Sequence, residues 1–335
     1  MAIVTIKDIA IKSGASITTV SRVINGNYPV SEEVKKRVRE VMKELDYHPN
    51  AVARSLRSKK SNLIGFIIAD LSNQFFMEVA KGLEKEVESV GYQLLISSSD
   101  NNPDKETLII NSLIERNIDG LVIASSGGKS IDAIKKCIDL NIPVVLIDRA
   151  FPELDTVQLL WDDYDTSYNL TKYLIENGHR DIAIVNVKLS NPTGQDRLNG
   201  YLKALSDNGI DKNDAFISGS NFDSGEAYIF IKNLFSQDKR PTAVYCCNNK
   251  MADGALEAFN ELGLVIGRDV SVVAFGNMRC NRYLPVKITH AFQNANQMGE
   301  ISGRRILSSI KGEEIEENIE IIRTEFCHYD SVRRI

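Results

Sequence analysis

The side chains best suited to do chemistry lie early in the chain, at Thr18, Thr19, Ser21 and Arg22 within Thr5–Asn25, TIKDIAIKSGASITTVSRVIN. Short hydroxyls that donate and accept, next to a charged guanidinium fork, match the edges of base pairs in a DNA groove and the phosphates beside it. Such groups act together only if one rigid element holds them on a common face. Ile6, Ile9 and Ala10 recur at i, i+3, i+4 and predict a first helix with Thr5 at its cap. Gly14 supplies a turn, and Ser16 can cap a second helix on which Val20, Val23 and Ile24 repeat the apolar spacing. The pattern reads as helix-turn-helix, although taken alone it would equally serve an ordinary helical hairpin.

Charge supports the first reading. Residues 1–60 carry 12 Lys/Arg against 6 Asp/Glu, and the rest of the chain 28 against 39, for an overall net charge of −5. A basic module on an acidic body is the footprint of nucleic-acid binding. Ser31 opens a third helix, SEEVKKRVREVMKELDY, with Val34, Val38, Val41 and Leu45 on its core face. Pro49 then breaks it. Asn50 can cap AVARSLRS, only about two turns and marginal alone, but rich in Arg54, Arg57, Lys59 and Lys60. Phosphate could stabilise this segment, or it could be a solvated basic linker.

From Asn62 the rhythm changes. Apolar runs at 63–69, 92–98, 120–124, 143–147, 182–187, 242–247 and 270–275 alternate with amphipathic segments such as FFMEVAKGLEKEVESVG and DTSYNLTKYLIENG. Parallel strands with crossover helices follow, in two units with a cleft at the carboxyl ends of the strands. The 335 residues suffice for two or three domains, and 43% hydrophobic with 25% charged residues describes a soluble globular chain. No apolar run approaches the roughly 18–20 residues of a membrane span, and MAIVTIKDIA lacks a signal-peptide core, so a cytoplasmic location is expected.

Catalysis finds no support. The first strand is followed by DLSNQFF rather than a glycine fingerprint, and no P-loop, GxSxG elbow or HExxH occurs. Ser125–Ser130, SSGGKS, reads as a flexible turn. Cys137, Cys246, Cys247, Cys280 and Cys327 have no framework spacing and read as small buried thiols, and His48, His179, His290 and His328 lack metal-ligand spacing. No cofactor or metal is expected.

The ordered set TIKDIAIKSGASITTVSRVINGN, VSEEVKKRVREVMKELDYHPNAVARSL and IGFIIADLSNQFF resembles the lactose-repressor (LacI/GalR) family of bacterial transcription regulators. VVLIDR, RLNGY, PTAVYCCNNKMADGAL, DVSVVAFGNM and Gln293 continue the match in the family's order over essentially the whole chain. The resemblance implies an all-α helix-turn-helix headpiece (1–49), a hinge helix and linker (50–61), and an effector-binding and dimerisation body (62–335). That body would be α/β, two-lobed and like the periplasmic binding proteins, with two parallel-sheet Rossmann-like subdomains: an N-subdomain of about 62–161 and 293–322, and a C-subdomain of about 162–292 and 323–335.

By the same resemblance, Ile17, Thr18 and Arg22 meet base edges, while Thr5, Ser16, Thr19, Ser21 and Asn25 meet phosphates. Asn50, Ala53 and Leu56 belong to the hinge. Leu56 takes the place of a leucine wedged into the minor groove, which in the family also packs hinge on hinge. The implied partners are a palindromic double-stranded DNA operator, a second copy of the chain and a small carbohydrate-related effector, with no membrane. Absence of a leucine-heptad tail at HYDSVRRI favours a dimer over a higher oligomer. The effector would lie between the lobes against Phe75, Asp148, Arg197, Phe222, Asn248, Asn277 and Gln293. The expected function is a repressor that is not an enzyme. A regulator controlled by a protein corepressor is the alternative, and a solute-binding protein for transport is a reading from another class.

Three departures stand out. The family's Asn-Asp pair is Asn248-Asn249, its Gly-Phe-Asp-Asp element ends as Asn277-Met278, and its Asn-Pro-Phe-Phe element reads Asn73-Gln74-Phe75-Phe76. Loss of two carboxylates near the cleft, with Arg279 and Arg282 just after, leads to the expectation that the effector is not a plain neutral sugar and carries negative charge.

Overall fold

The computed structural model describes residues 4–25, 28–47, 60–187, 191–220, 223–314 and 316–335. The chain divides into two compact units, Met1–Ser61 and Asn62–Ile335. The expected hinge residues Asn50, Ala53 and Leu56, and Phe222 of the body, lie outside the described residues.

In the first unit, helices α1 (Ile6–Ser13), α2 (Ile17–Asn25) and α3 (Glu32–Glu44) close a core of Ile9, Ala10, Val20, Val23, Val38 and Val41. Gly14 adopts φ 63°, left-handed backbone that a side chain would resist, and so turns α1 into α2. Ser16 caps α2 by accepting from the Thr19 N–H at 3.0 Å. At α1 a carboxylate does the closing: Asp8 accepts from the Thr5 N–H at 2.8 Å and the Thr5 hydroxyl at 2.7 Å. Ser31 stands at the start of α3 but makes no side-chain cap bond.

The second unit contains two six-stranded sheets. The first runs β11-β5-β4-β3-β1-β2 and is parallel throughout; its strands are β1 (Leu63–Ile68), β2 (Gln93–Ser98), β3 (Gly120–Ile123), β4 (Val144–Ile147), β5 (Val157–Trp161) and β11 (Ile319–Ile322). The second runs β12-β10-β9-β8-β6-β7, from β6 (Ile182–Val187), β7 (Ile217–Ser220), β8 (Ala243–Cys246), β9 (Ser271–Phe275), β10 (Thr289–Phe292) and β12 (Glu325–Cys327). Among the described strands, only β12 is antiparallel to its neighbour. Each sheet therefore takes its last strand from a late segment, and the chain passes between lobes after β5, after β10 and again after β11.

Crossover helices cover the sheets: α4 (Gln74–Glu88), α5 (Pro103–Glu115) and α6 (Ser130–Asp139) in the first lobe, and α7 (Asp163–Glu176), α8 (Pro192–Asp207), α9 (Ser224–Phe235) and α10 (Asn249–Glu261) in the second. The late helix α11 (Ala295–Lys311) returns to the first lobe and lies against α4. The approach is close enough that a Cβ at Gly82 would meet the Asn296 carbonyl and one at Gly299 the Val79 carbonyl. Ala295, Met298 and Ile306 thus join Phe76, Val79 and Leu83 in one core. No helix among the described residues is long and apolar enough to cross a membrane.

Candidate functional sites: a reading helix and an inter-lobe cleft

On α2, the residues turned to solvent are Ile17, Thr18 and Arg22, while Val20 and Val23 fill the core beneath them. Ile17 is 46% exposed, a large apolar side chain left partly open to solvent. The Arg22 guanidinium lies 5.0 Å from the centre of the Tyr28 ring. Thr19 is half-buried and its hydroxyl is 2.8 Å from that of Ser16. The structure thus brings the expected base-reading residues onto one exposed face, with the expected phosphate-contacting Thr5 and Ser16 at the starts of α1 and α2. Thr5 enters that role with its hydroxyl already given to Asp8.

The cleft lies at the carboxyl ends of the parallel strands of both sheets, where side chains following the strands converge. From the first lobe come Asp70, Asn73, Phe75, Asn101, Asp148 and Arg149; from the second, Thr193, Arg197, Asn248, Asn249 and Lys250; Gln293 follows β10. Local backbone chemistry fixes several of them. Asn73 and Asn248 cap α4 and α10, accepting from Phe75 N at 3.1 Å and Met251 N at 2.8 Å. Asp148 has φ 68°, a left-handed conformation at the end of β4 that an aspartate tolerates better than most residues.

Arg197 is the most constrained group. It is buried, donates from Nε and Nη2 to Asp163 Oδ1 at 2.8 Å each and from Nη1 to the Cys247 carbonyl at 2.5 Å, and stacks 3.8 Å from the Phe275 ring centre. Burial alone would lower its proton affinity, but the Asp163 carboxylate more than reverses this and keeps the guanidinium charged. Arg149, also buried, donates to the Ser125 carbonyl at 2.8 Å and to Asn101 Oδ1 at 2.6 Å. Burial lowers its proton affinity too, with Asp148 and Glu106 opposing. Gln293 is 6% exposed, and its Nε2 finds no acceptor among the described residues. A buried amide donor without a partner is costly unless something else supplies the acceptor.

Of the effector residues expected from sequence, Phe75, Asp148, Arg197, Asn248 and Gln293 share this cleft. Asn277 does not line it. It lies in an adjoining cavity of about 270 Å³ with Ser72, Glu78, Asp253 and Arg279, its Oδ1 accepting from the Gln293 N–H at 2.9 Å. Sequence reasoning missed Asp70, Asn101, Arg149, Thr193 and Lys250. Arg149 and Lys250 sit inside the motifs VVLIDR and NNKM, so adjacency was the available signal; Asn101 and Thr193 had none. SSGGKS is more built than a loose turn: Ser125 and Ser126 donate to the buried Glu106 carboxylate at 2.7 Å each. The cysteines are free, but only Cys137, Cys246 and Cys247 are buried; Cys280 and Cys327 are half-buried.

A helix-turn-helix unit with an exposed polar reading face, followed by a two-sheet body with a polar cleft, defines a ligand-responsive DNA-binding regulator. A family model described as bacterial regulatory proteins, lacI family, matches residues 5–50, and one described as periplasmic binding proteins and sugar binding domain of LacI family matches residues 61–329. The chain is 36% identical to the HTH-type transcriptional repressor PurR of Serratia proteamaculans over 309 residues, covering 91% of this chain and 90% of that one. It is 34% identical to the ribose operon repressor of Haemophilus influenzae, covering 92% of each. A lac repressor dimer solved with operator and the anti-inducer ONPF matches in fold with a TM-score of 0.87 at 24% identity, over 99% of this chain and all of that one. The protein belongs to the LacI family of bacterial transcriptional regulators and is not an enzyme.

Proposed function

We propose that the protein is a cytoplasmic repressor that binds a palindromic operator as a homodimer and releases or tightens that grip when a small neutral, hydroxyl-rich molecule enters the cleft. Ile17, Thr18 and Arg22 read base edges in each half-site, and Thr5, Ser16, Thr19, Ser21 and Asn25 set the register on phosphates. One short helix reads too few base pairs for specificity in a genome, and two-fold symmetry doubles the site. Residues 1–49 form the DNA module and 62–335 the effector module. Residues 50–61 are the hinge between them, with Asn50, Ala53 and Leu56 contacting DNA and Leu56 wedged into the minor groove.

The unpartnered Gln293 amide, buried beside Asp148 and Phe75, is the observation that carries the effector reading. Amide, carboxylate and aromatic ring together suit a hydroxyl-bearing ring, with hydrogen bonds at its rim and an apolar face against phenylalanine. Phe222 and Asn277 complete the set implied by the family. Charge in the lining is balanced: Arg197 is held by Asp163, Lys250 by Asp70, and Arg149 lies 4.0 Å from Asp148. That balance favours a neutral ligand over the anionic one expected from sequence. The relative named as a ribose operon repressor supports a carbohydrate. Thermal-shift screening of the full-length protein against neutral and acidic sugars tests this; stabilisation by neutral members is expected, and a response confined to acidic ones would overturn it. For the DNA module, operator affinity measured over a salt series should fall steeply as phosphate contacts release counterions, and a flat response would remove the reading.

A further inference from the structure

Three side-chain pairs cross between the lobes at the mouth of the cleft. Lys250 Nζ donates to Asp70 Oδ2 at 2.5 Å and Ser72 Oγ at 2.9 Å. Asn249 Nδ2 donates to Asn73 Oδ1 at 3.2 Å, and Asn277 Nδ2 to Glu78 Oε2 at 3.2 Å. Every donor comes from the second lobe and every acceptor from the first. The two amides stand where the family's carboxylates would, and the polarity explains why that matters. A carboxylate at 249 would set an acceptor against the Asn73 oxygen, and one at 277 would face Glu78 charge to charge.

The cleft that the first two pairs border has a volume of about 50 Å³. That is room for about four waters, far below the roughly 300–1,000 Å³ of sites that enclose a small ligand. A ring-sized effector held within the cleft itself therefore needs the lobes to part, which stretches the two pairs that border it, Asn249–Asn73 and Lys250–Asp70.

We propose that Asn249, Lys250 and Asn277 form a latch that holds the two lobes together and thereby sets the affinity of the effector response. The proposal rests on the cleft being the effector site. If only a fraction of molecules is unlatched at any moment, apparent effector affinity falls by that fraction, so these residues tune the response through the lobe equilibrium, beyond any contact they make with the ligand.

Hydrogen exchange of the effector-free, full-length protein tests the latch, read by mass spectrometry over residues 70–78 and 248–253, with β6 as the fold control. Asn277→Asp should raise exchange in 70–78 by about tenfold. Adding Glu78→Gln should return it to the wild-type rate, because the new amide then donates to the new carboxylate with the roles exchanged. Lys250→Met, at a half-exposed position that tolerates a change of head group, should raise exchange in both segments with β6 unchanged. Wild-type exchange in both Asn277→Asp and Lys250→Met, or failure of Glu78→Gln to restore the first, would overturn the latch. No effector is present, so that failure is separate from failure of the cleft reading, which the sugar screen judges.

Discussion

The reading helix and the cleft bind by opposite arrangements of the same kinds of side chain. On α2, Thr18 and Arg22 stand in solvent and Ile17 is left uncovered, so desolvation waits until DNA arrives. In the cleft, Arg197 and Arg149 are buried, and Arg197 Nε and Nη1 and both Arg149 Nη groups are already committed to protein acceptors. A surface that must slide over many wrong sequences gains from staying hydrated, because contacts formed only at the right site then carry the discrimination. A pocket for one small molecule gains from groups fixed in advance, which leaves less entropy to lose on binding. Substitutions should therefore damage the cleft through stability and the helix through specificity.

The largest effect should come from Arg197→Ala. It leaves the buried Asp163 carboxylate without its cation and opens the face of Phe275, a loss of about 3–5 kcal/mol. Chemical denaturation of the body should register it, and an unchanged midpoint would break the contrast with α2. Arg22→Ala comes next. It should weaken specific operator binding by roughly 1–3 kcal/mol and relax preference at one base pair per half-site, with no change in melting temperature. Random-site selection alongside a melt separates the two readouts. Ser16→Ala sharpens the comparison from within the headpiece, because it removes a cap rather than a reading group. About 1 kcal/mol of headpiece stability should disappear, measured by denaturant titration, with base preference intact.

The smallest effect concerns pH. Burial pushes the Asp70 carboxyl up, but hydrogen bonds from Lys250 and Ser72 outweigh it and hold the group below its ordinary range. A lowered folded-state value means that the stabilisation is fully present above the unfolded value, about 3.9, and is lost as pH falls through the folded one. Melting curves of wild type and Asp70→Asn should differ near pH 6, and the difference should begin to shrink only as pH falls below about 4.

Strands buried on both faces were legible as continuous apolar runs, and β1, β3, β4, β6, β8 and β9 are of that kind; β2, a partly exposed edge strand, was legible from its apolar run alone. The remaining five are short or polar for reasons that only tertiary contacts supply. In β5, Gln158 interrupts the apolar pattern because its buried amide bonds Phe151 N at 2.9 Å and the Phe151 and Leu154 carbonyls. In β10, Thr289 is tied to the Tyr329 carbonyl, and His290 stacks on the Tyr329 ring. Strands β7, β11 and β12 lie at sheet edges, where one side needs no partner and composition is free to drift. Headpiece helices were legible because their periods of burial are regular. For the cleft, the family resemblance pointed to Asp148, Arg197 and Gln293, but which lobe would offer acceptors and which donors depends on side-chain directions that no spacing encodes. Asn277 shows the gap: its neighbours in sequence say nothing of Glu78, 199 residues away, whose carboxylate it meets.

The return of α11 and β11 to the first lobe has a consequence in the order of biosynthesis. A ribosome that has completed β1–β5 has also completed the headpiece helices, yet α4 still lacks the helix that Gly82 is shaped to receive. The whole second sheet up to β10 must be translated first, at about 5–20 residues per second a wait on the order of ten seconds. During that interval Val79 and Leu83 face water, and the nascent first lobe is open to chaperones and proteases. Messages truncated before α11 would yield headpieces able to fold beside a lobe that cannot close its core.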